Sequence, residues 1–175
     1  MKSNLVSLQK KFGKSLIIQE KLSKYSWFNL GGTADIFFRP DSLDQLKKFL
    51  IDIKTANFKL CILGAGSNTL IRDKGVKGVV IKLSSKFSNI KLLEEDVIEV
   101  GAAALDRKVS DFATNNSISG LEFLSCIPGS IGGAVIMNSG CYGSDISKIL
   151  KSIKVIDING AVKNIRKEEI NFIYR

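Results

Sequence analysis

The stretch Ile127-Pro128-Gly129-Ser130-Ile131-Gly132-Gly133-Ala134-Val135-Ile136-Met137-Asn138-Ser139-Gly140-Cys141-Tyr142-Gly143 decides how this sequence is read. It holds five glycines and few charges, and its spacing predicts a helix starting near Ile131. Small residues let a large planar or extended ligand lie against the backbone. A helix N-terminus adds unpaired N–H groups and the positive end of a dipole, both suited to phosphate. Tight helix–sheet packing through glycine would give the same pattern, and this tract alone leaves both readings open.

Upstream, the apolar run Leu60–Leu63 reads as a buried strand that enters Gly64-Ala65-Gly66-Ser67-Asn68. A dinucleotide fingerprint would need glycine at position 69, where this chain has Thr69, and a Walker loop would end in Gly-Lys-Ser/Thr. Both common phosphate loops therefore fail. Two glycines one residue apart still allow positive φ and close backbone approach, so successive N–H groups can form an anion nest with Ser67 and Asn68 as further donors. A plain strand-ending turn is the structural alternative. Two such tracts in one chain favour a large dinucleotide ligand.

Around these tracts the chain reads as α/β. Residues 1–22 form a lead-in segment with at most a short helix. A turn at Gly31-Gly32 precedes a strand, Ala34–Phe38. Ser42 and Gln45 form a capping-box pair ahead of a helix whose apolar face carries Leu43, Leu46, Phe49, Leu50 and Ile53. Val79–Leu83 and Val97–Val100 read as strands, and Leu105, Val109, Phe112 and Ala113 as a second helical face. Ile153–Ile158 and Val162–Ile165 flank Asn159-Gly160, the preferred hairpin turn. Two lobes are expected, residues 23–83 and 84–175, with a seam near residue 84 and both glycine tracts available to face it.

Composition narrows the chemistry. The chain has 175 residues, 45% hydrophobic and 25% charged, enough to bury roughly 70% of its unfolded surface. No apolar run approaches the ~20 residues of a membrane span, and no secretory signal opens the chain, so a cytoplasmic protein without membrane partners is expected. The net charge is +9, but basic residues are scattered among acids, and no nucleic-acid partner is expected. With no histidine, a Ser-His triad and His-ligated metal are excluded. The three cysteines, Cys61, Cys126 and Cys141, fit neither a disulfide framework nor a Cys-x-x-Cys metal site, and each is expected to be a small buried hydrophobe. No metal is expected, so any chemistry must come mainly from a cofactor.

Taken in order, Trp27-Phe28 with Gly31-Gly32, the Leu63–Asn68 loop and Gly78-Val79-Val80-Ile81 resemble the UDP-N-acetylenolpyruvoylglucosamine reductase (MurB) family. So do Gly120-Leu121-Glu122-Phe123-Leu124, the Ile127–Ala134 turn, Met137–Gly143 and the final Tyr174-Arg175. The resemblance covers about residues 25 to 175. It implies an α/β (α+β) fold, a two-lobed FAD-binding domain of the PCMH/vanillyl-alcohol-oxidase type, with the third, substrate domain absent from this chain. It implies FAD held by Gly64, Ala65, Gly66, Ser67 and Asn68 and by Pro128, Gly129, Ser130, Gly132, Gly133 and Ala134. It further implies NADPH as hydride donor and UDP-N-acetylglucosamine enolpyruvate as the substrate reduced, a step of peptidoglycan synthesis. Arg175 matches the family's active-site arginine, whose fixed guanidinium would pair with the substrate carboxylate and stabilise the enolate.

Two departures stand out. Cys126 replaces a usual glycine and Ser26 a common threonine; both are small, and altered packing is expected with function kept. The family's serine proton donor and its acidic partner lie downstream of the Tyr-Arg motif. Neither is assigned here, and Ser130, Ser139 and Ser144 match other positions. The chain alone is thus expected to lack complete turnover, and the sequence leaves its oligomeric state open. Two rivals remain: another FAD-linked oxidase or dehydrogenase of the same superfamily, and a non-catalytic flavin-binding module.

Overall fold

A computed structural model describes residues 2–173 of the chain. The chain divides into two compact units, Met1–Ser84 with Ile156–Ala161 and Ser85–Val155 with Val162–Arg175.

The first unit opens with helix α1 (Lys2–Phe12), then strands β1 (Leu16–Lys21) and β2 (Thr33–Phe38). Helix α2 (Leu43–Thr55) follows, then β3 (Leu60–Ile62) and β4 (Val76–Ile81). The sheet order is β1-β2-β4-β3, with β1 antiparallel to β2 and the other pairs parallel. One face of β2 stacks Phe38 on Phe49 of α2 with ring centroids 3.7 Å apart, and Phe12 of α1 meets both rings edge-on. The opposite face buries Phe37 and Val80 with Leu22, Leu63 and Ile71, and Tyr25 stacks on Phe37. Helix α2 starts where the sequence predicts. Ser42 Oγ accepts the Gln45 N–H at 3.1 Å, while Gln45 Oε1 reaches the N–H of Asp41 at 2.8 Å, one residue before the usual box partner. Leu46, Phe49, Leu50 and Ile53 are buried as expected, whereas Leu43 is exposed.

Two expectations are corrected in this unit. Residues 1–22 contain a strand of the main sheet, which their sequence hides: β1 is an edge strand with only Leu16 buried, and Gln19 sits at φ +56. The Leu60–Leu63 strand is an edge as well. Its residues Leu60, Cys61 and Ile62 are exposed and only Leu63 is buried.

The second unit pairs β5 (Ile90–Glu94), unpredicted, with β6 (Val97–Val100) in an antiparallel ladder. Helices α3 (Asp106–Asn115) and α4 (Ile131–Met137), the short β7 (Gly140–Cys141) and β8 (Ser144–Asp145), and α5 (Ile146–Ile149) follow. Val109, Phe123, Leu124, Ala134 and Ile146 form its core. Leu105, expected on the α3 apolar face, is instead the exposed residue preceding the helix. Strands β9 (Ser152–Ile156) and β10 (Val162–Arg166) form the expected hairpin, but its turn differs. Asp157 accepts the N–H groups of Asn159 and Ala161 on its carboxylate and that of Gly160 on its carbonyl, so only Gly160, at φ +78, takes the left-handed conformation. Cys61 and Cys126 are exposed and Cys141 is half-buried, so the buried-hydrophobe expectation fails for the first two. Among the described residues, no helix is long and apolar enough to cross a membrane.

Candidate functional site

The first glycine tract leaves β3 at the carboxyl end of the parallel strands, the end at which open α/β sheets bind ligands. Two contacts fix it. Trp27 N–H donates to Gly66 O at 3.1 Å, and Ser26 Oγ donates to Thr69 O at 3.1 Å. Gly66 has φ +79, and a Cβ there would lie 2.0 Å from Tyr25 O, so glycine is required by the fold itself. The N–H groups of Gly64, Ala65, Gly66, Ser67 and Asn68 have no hydrogen-bond partner among the described residues. Such a run of unspent donors in a glycine turn suits an anion.

At the same sheet end stand two cations that sequence reading passed over. Lys82 continues β4, its N–H donating to Phe38 O at 3.0 Å, and Arg39 continues β2, its N–H donating to Ser15 O at 2.8 Å. The Lys82 ammonium hydrogen-bonds Gly64 O. Burial first, and then the Arg39 charge, push this amine below the ordinary lysine range.

The second tract lies in the other unit. An antiparallel bridge joins Leu105 to Ser130: Asp106 N–H donates to Gly129 O at 3.2 Å and Ile131 N–H to Ala104 O at 2.9 Å. Gly132 N–H donates to Ala102 O at 2.9 Å. The start of α4 is therefore less open than its sequence promises, because the 102–104 segment takes two of its N–H groups. Those of Gly129, Ser130 and Gly133 remain without a partner among the described residues. A Cβ at Gly132 would press on Ala102 at 3.0 Å, whereas one at Gly133 would meet only Ser130 Oγ, at 3.6 Å. Packing explains the first glycine and leaves the second as open space for a ligand.

Beneath Gly129 lies Asp106, fully buried, with neither carboxylate oxygen hydrogen-bonded. Its Oδ2 sits where a Cβ on Gly129 would be 2.4 Å away. Burial raises its pKa to about 7. No sequence signal marks this, since an acid in the first turn of α3 reads as a dipole partner. Arg175 lies outside the described residues. Among those residues, no group of His, Cys, Asp or Glu could hold a metal ion.

Each tract by itself thus fits phosphate-bearing parts of a dinucleotide: unspent N–H donors, glycine where a side chain would obstruct, and cations at the first. The model of a family described as FAD binding domain matches residues 34–166. A Pelagibacter ubique (strain HTCC1062) protein named UDP-N-acetylenolpyruvoylglucosamine reductase is 52% identical over 154 residues, 88% of this chain and 51% of that protein. The crystal structure of the Thermus caldophilus UDP-N-acetylenolpyruvylglucosamine reductase (MurB) matches 91% of this chain and 55% of its own at 30% identity, with a TM-score of 0.74. p-Cresol methylhydroxylase, at 13% identity and a TM-score of 0.67 over 93% of this chain and 35% of its own, shares the fold. The chain spans about half the length of the curated relatives it matches. With the family model covering most of its length, the chain belongs to the FAD binding domain family.

Proposed function

We propose that this chain is the FAD-binding part of a UDP-N-acetylmuramate dehydrogenase of the MurB type, working in the cytoplasm with NADPH as hydride donor. The observation that carries the reading is the 52% identity to a UDP-N-acetylenolpyruvoylglucosamine reductase, which runs through 88% of the chain. The sharp fall in identity from the Thermus reductase, 30%, to p-cresol methylhydroxylase, 13%, favours this branch over the oxidases that share the fold.

FAD, when bound, supplies the hydride chemistry that reduces the enolpyruvyl group of UDP-N-acetylglucosamine enolpyruvate. The chain's own part is to bind and orient. Gly64, Ala65, Gly66, Ser67 and Asn68 offer N–H donors to the diphosphate. From the Pro128, Gly129, Ser130, Gly132, Gly133 and Ala134 segment, the N–H groups of Gly129, Ser130 and Gly133 are donors suited to a phosphate-bearing part of the cofactor. Arg175 pairs with the substrate carboxylate and stabilises the charge that develops on it in the reaction.

The visible spectrum of the purified chain, taken after addition of FAD and desalting, tests the first half of the reading. Retained flavin absorbance is expected; a folded but colourless protein counts against residues 1–175 forming the cofactor site. The second half rests on Arg175→Ala in the complete enzyme. Turnover should fall on the order of 10²-fold or more while FAD is retained, and unchanged turnover removes the role.

A further inference from the structure

We propose that Arg39 and Lys82 form a two-cation subsite at the carboxyl ends of β2 and β4, which holds the diphosphate of FAD together with the N–H groups of the Gly64–Asn68 loop. The proposal rests on the reading of FAD as cofactor and adds to it the side chains that carry the counter-charge.

The geometry begins with register. Phe38 pairs with Ile81 and Phe37 with Val80 across the parallel β2–β4 ladder. The next residues, Arg39 and Lys82, extend that ladder by one step, as the Lys82 N–H to Phe38 O bond shows. Side chains alternate along a strand, so both belong to the face that carries Phe37 and Val80. That face also packs Leu63, the residue that leads into the glycine loop. Lys82 then reaches across to bond Gly64 O. Two cations and a run of unspent N–H groups are thereby gathered at one end of one sheet.

What is missing is an acid. Among the described residues, neither Arg39 nor Lys82 makes an ion pair with a carboxylate. Glu20, at the Tyr25 side of this face, already bonds the Tyr25 hydroxyl and the Lys24 ammonium. Burial first, and then the Arg39 charge, hold the Lys82 amine below its usual range, so a half-buried ammonium faces the like charge of an exposed guanidinium. A fold keeps such a pair at low cost when a dianion sits between its charges, and a diphosphate has the charge and the acceptor geometry to do so. Lys82 is the more buried of the two and should contribute more, because solvent and salt screen Arg39.

The test titrates the chain and its Lys82→Gln, Arg39→Gln and Lys82→Arg variants with FAD, riboflavin and inorganic pyrophosphate by calorimetry, after circular dichroism has shown each variant folded. Lys82→Gln should weaken FAD and pyrophosphate about tenfold or more, and Arg39→Gln by less. Riboflavin, which has no phosphate, should bind every protein alike, and Lys82→Arg should keep most of the affinity. Pyrophosphate that does not bind the parent chain, or binds the Gln variants as tightly, overturns the proposal. Pyrophosphate binding that depends on both cations without any flavin binding upholds the diphosphate subsite and removes the FAD reading instead.

Discussion

In the first glycine tract Gly66 lies buried under the Tyr25 carbonyl at a positive φ, while in the second Gly133 sits in a helix with nothing but a serine hydroxyl near its missing side chain. The loops around them differ in the same sense. The first keeps five successive N–H groups unspent, beside two cations. The second has already given the N–H groups of Ile131 and Gly132 to Ala104 and Ala102, and it rests on a buried, unbonded acid. One tract needs glycine to fold and offers charge to an anion. The other tolerates glycine in a helix at a propensity cost and offers space. Glycine count alone, which looks alike in both, hides this division.

The comparison breaks first at Gly66. An alanine there must move a backbone carbonyl 2.0 Å from its Cβ and also adopt φ +79. Gly66→Ala should therefore cost about 3–5 kcal/mol and loosen the first unit. Urea unfolding would register this as a fall in midpoint. A variant as stable as the parent would mean that the Tyr25–Trp27 segment is not what holds the loop.

Asp106 sharpens the comparison by its pH dependence. Its folded value of about 7 lies above the ordinary 3.8, so between those values the folded chain binds the proton that the unfolded chain has released. Stability must then fall as pH rises through that window, and the penalty is complete above about pH 7. Asp106→Asn removes the ionisation and should leave the variant about 2–4 kcal/mol better placed relative to the parent at pH 8 than at pH 4. Urea midpoints of both proteins at the two pH values give the difference. Equal gaps at pH 4 and pH 8 would show that the carboxylate finds a partner when it ionises.

What sequence makes legible here follows the range of the forces involved. Helix α2 is read correctly because its cap, Ser42 to Gln45, and its apolar spacing are local. The hairpin is found for the same reason, although the Asp157 carboxylate overrides the two-residue Asn-Gly turn. Strand β1 escapes notice because an edge strand with one buried residue has no alternation to show. The site divides in the same way. Both glycine tracts announce themselves, but which of their donors are spent depends on Ala102 and Ala104, which carry no signal. Arg39 and Lys82 look like scattered charge until parallel pairing sets them side by side. The room for the Asp106 carboxylate depends on a glycine far along the chain, Gly129.

The smallest effect is the most discriminating. Gly133→Ala meets ordinary contact at 3.6 Å and a helical backbone, so the protein itself raises no objection. Exchanging glycine for alanine inside a helix should add about 0.5–1 kcal/mol of stability. If the space above Gly133 is kept for the cofactor, the same methyl group should weaken FAD binding, and the two changes run in opposite directions. A variant that is more stable and binds FAD less tightly, measured by unfolding and by calorimetry on the same preparation, assigns the glycine to the ligand. Greater stability with unchanged affinity would return Gly133 to packing, and the second tract would then contact its ligand only through Gly129 and Ser130.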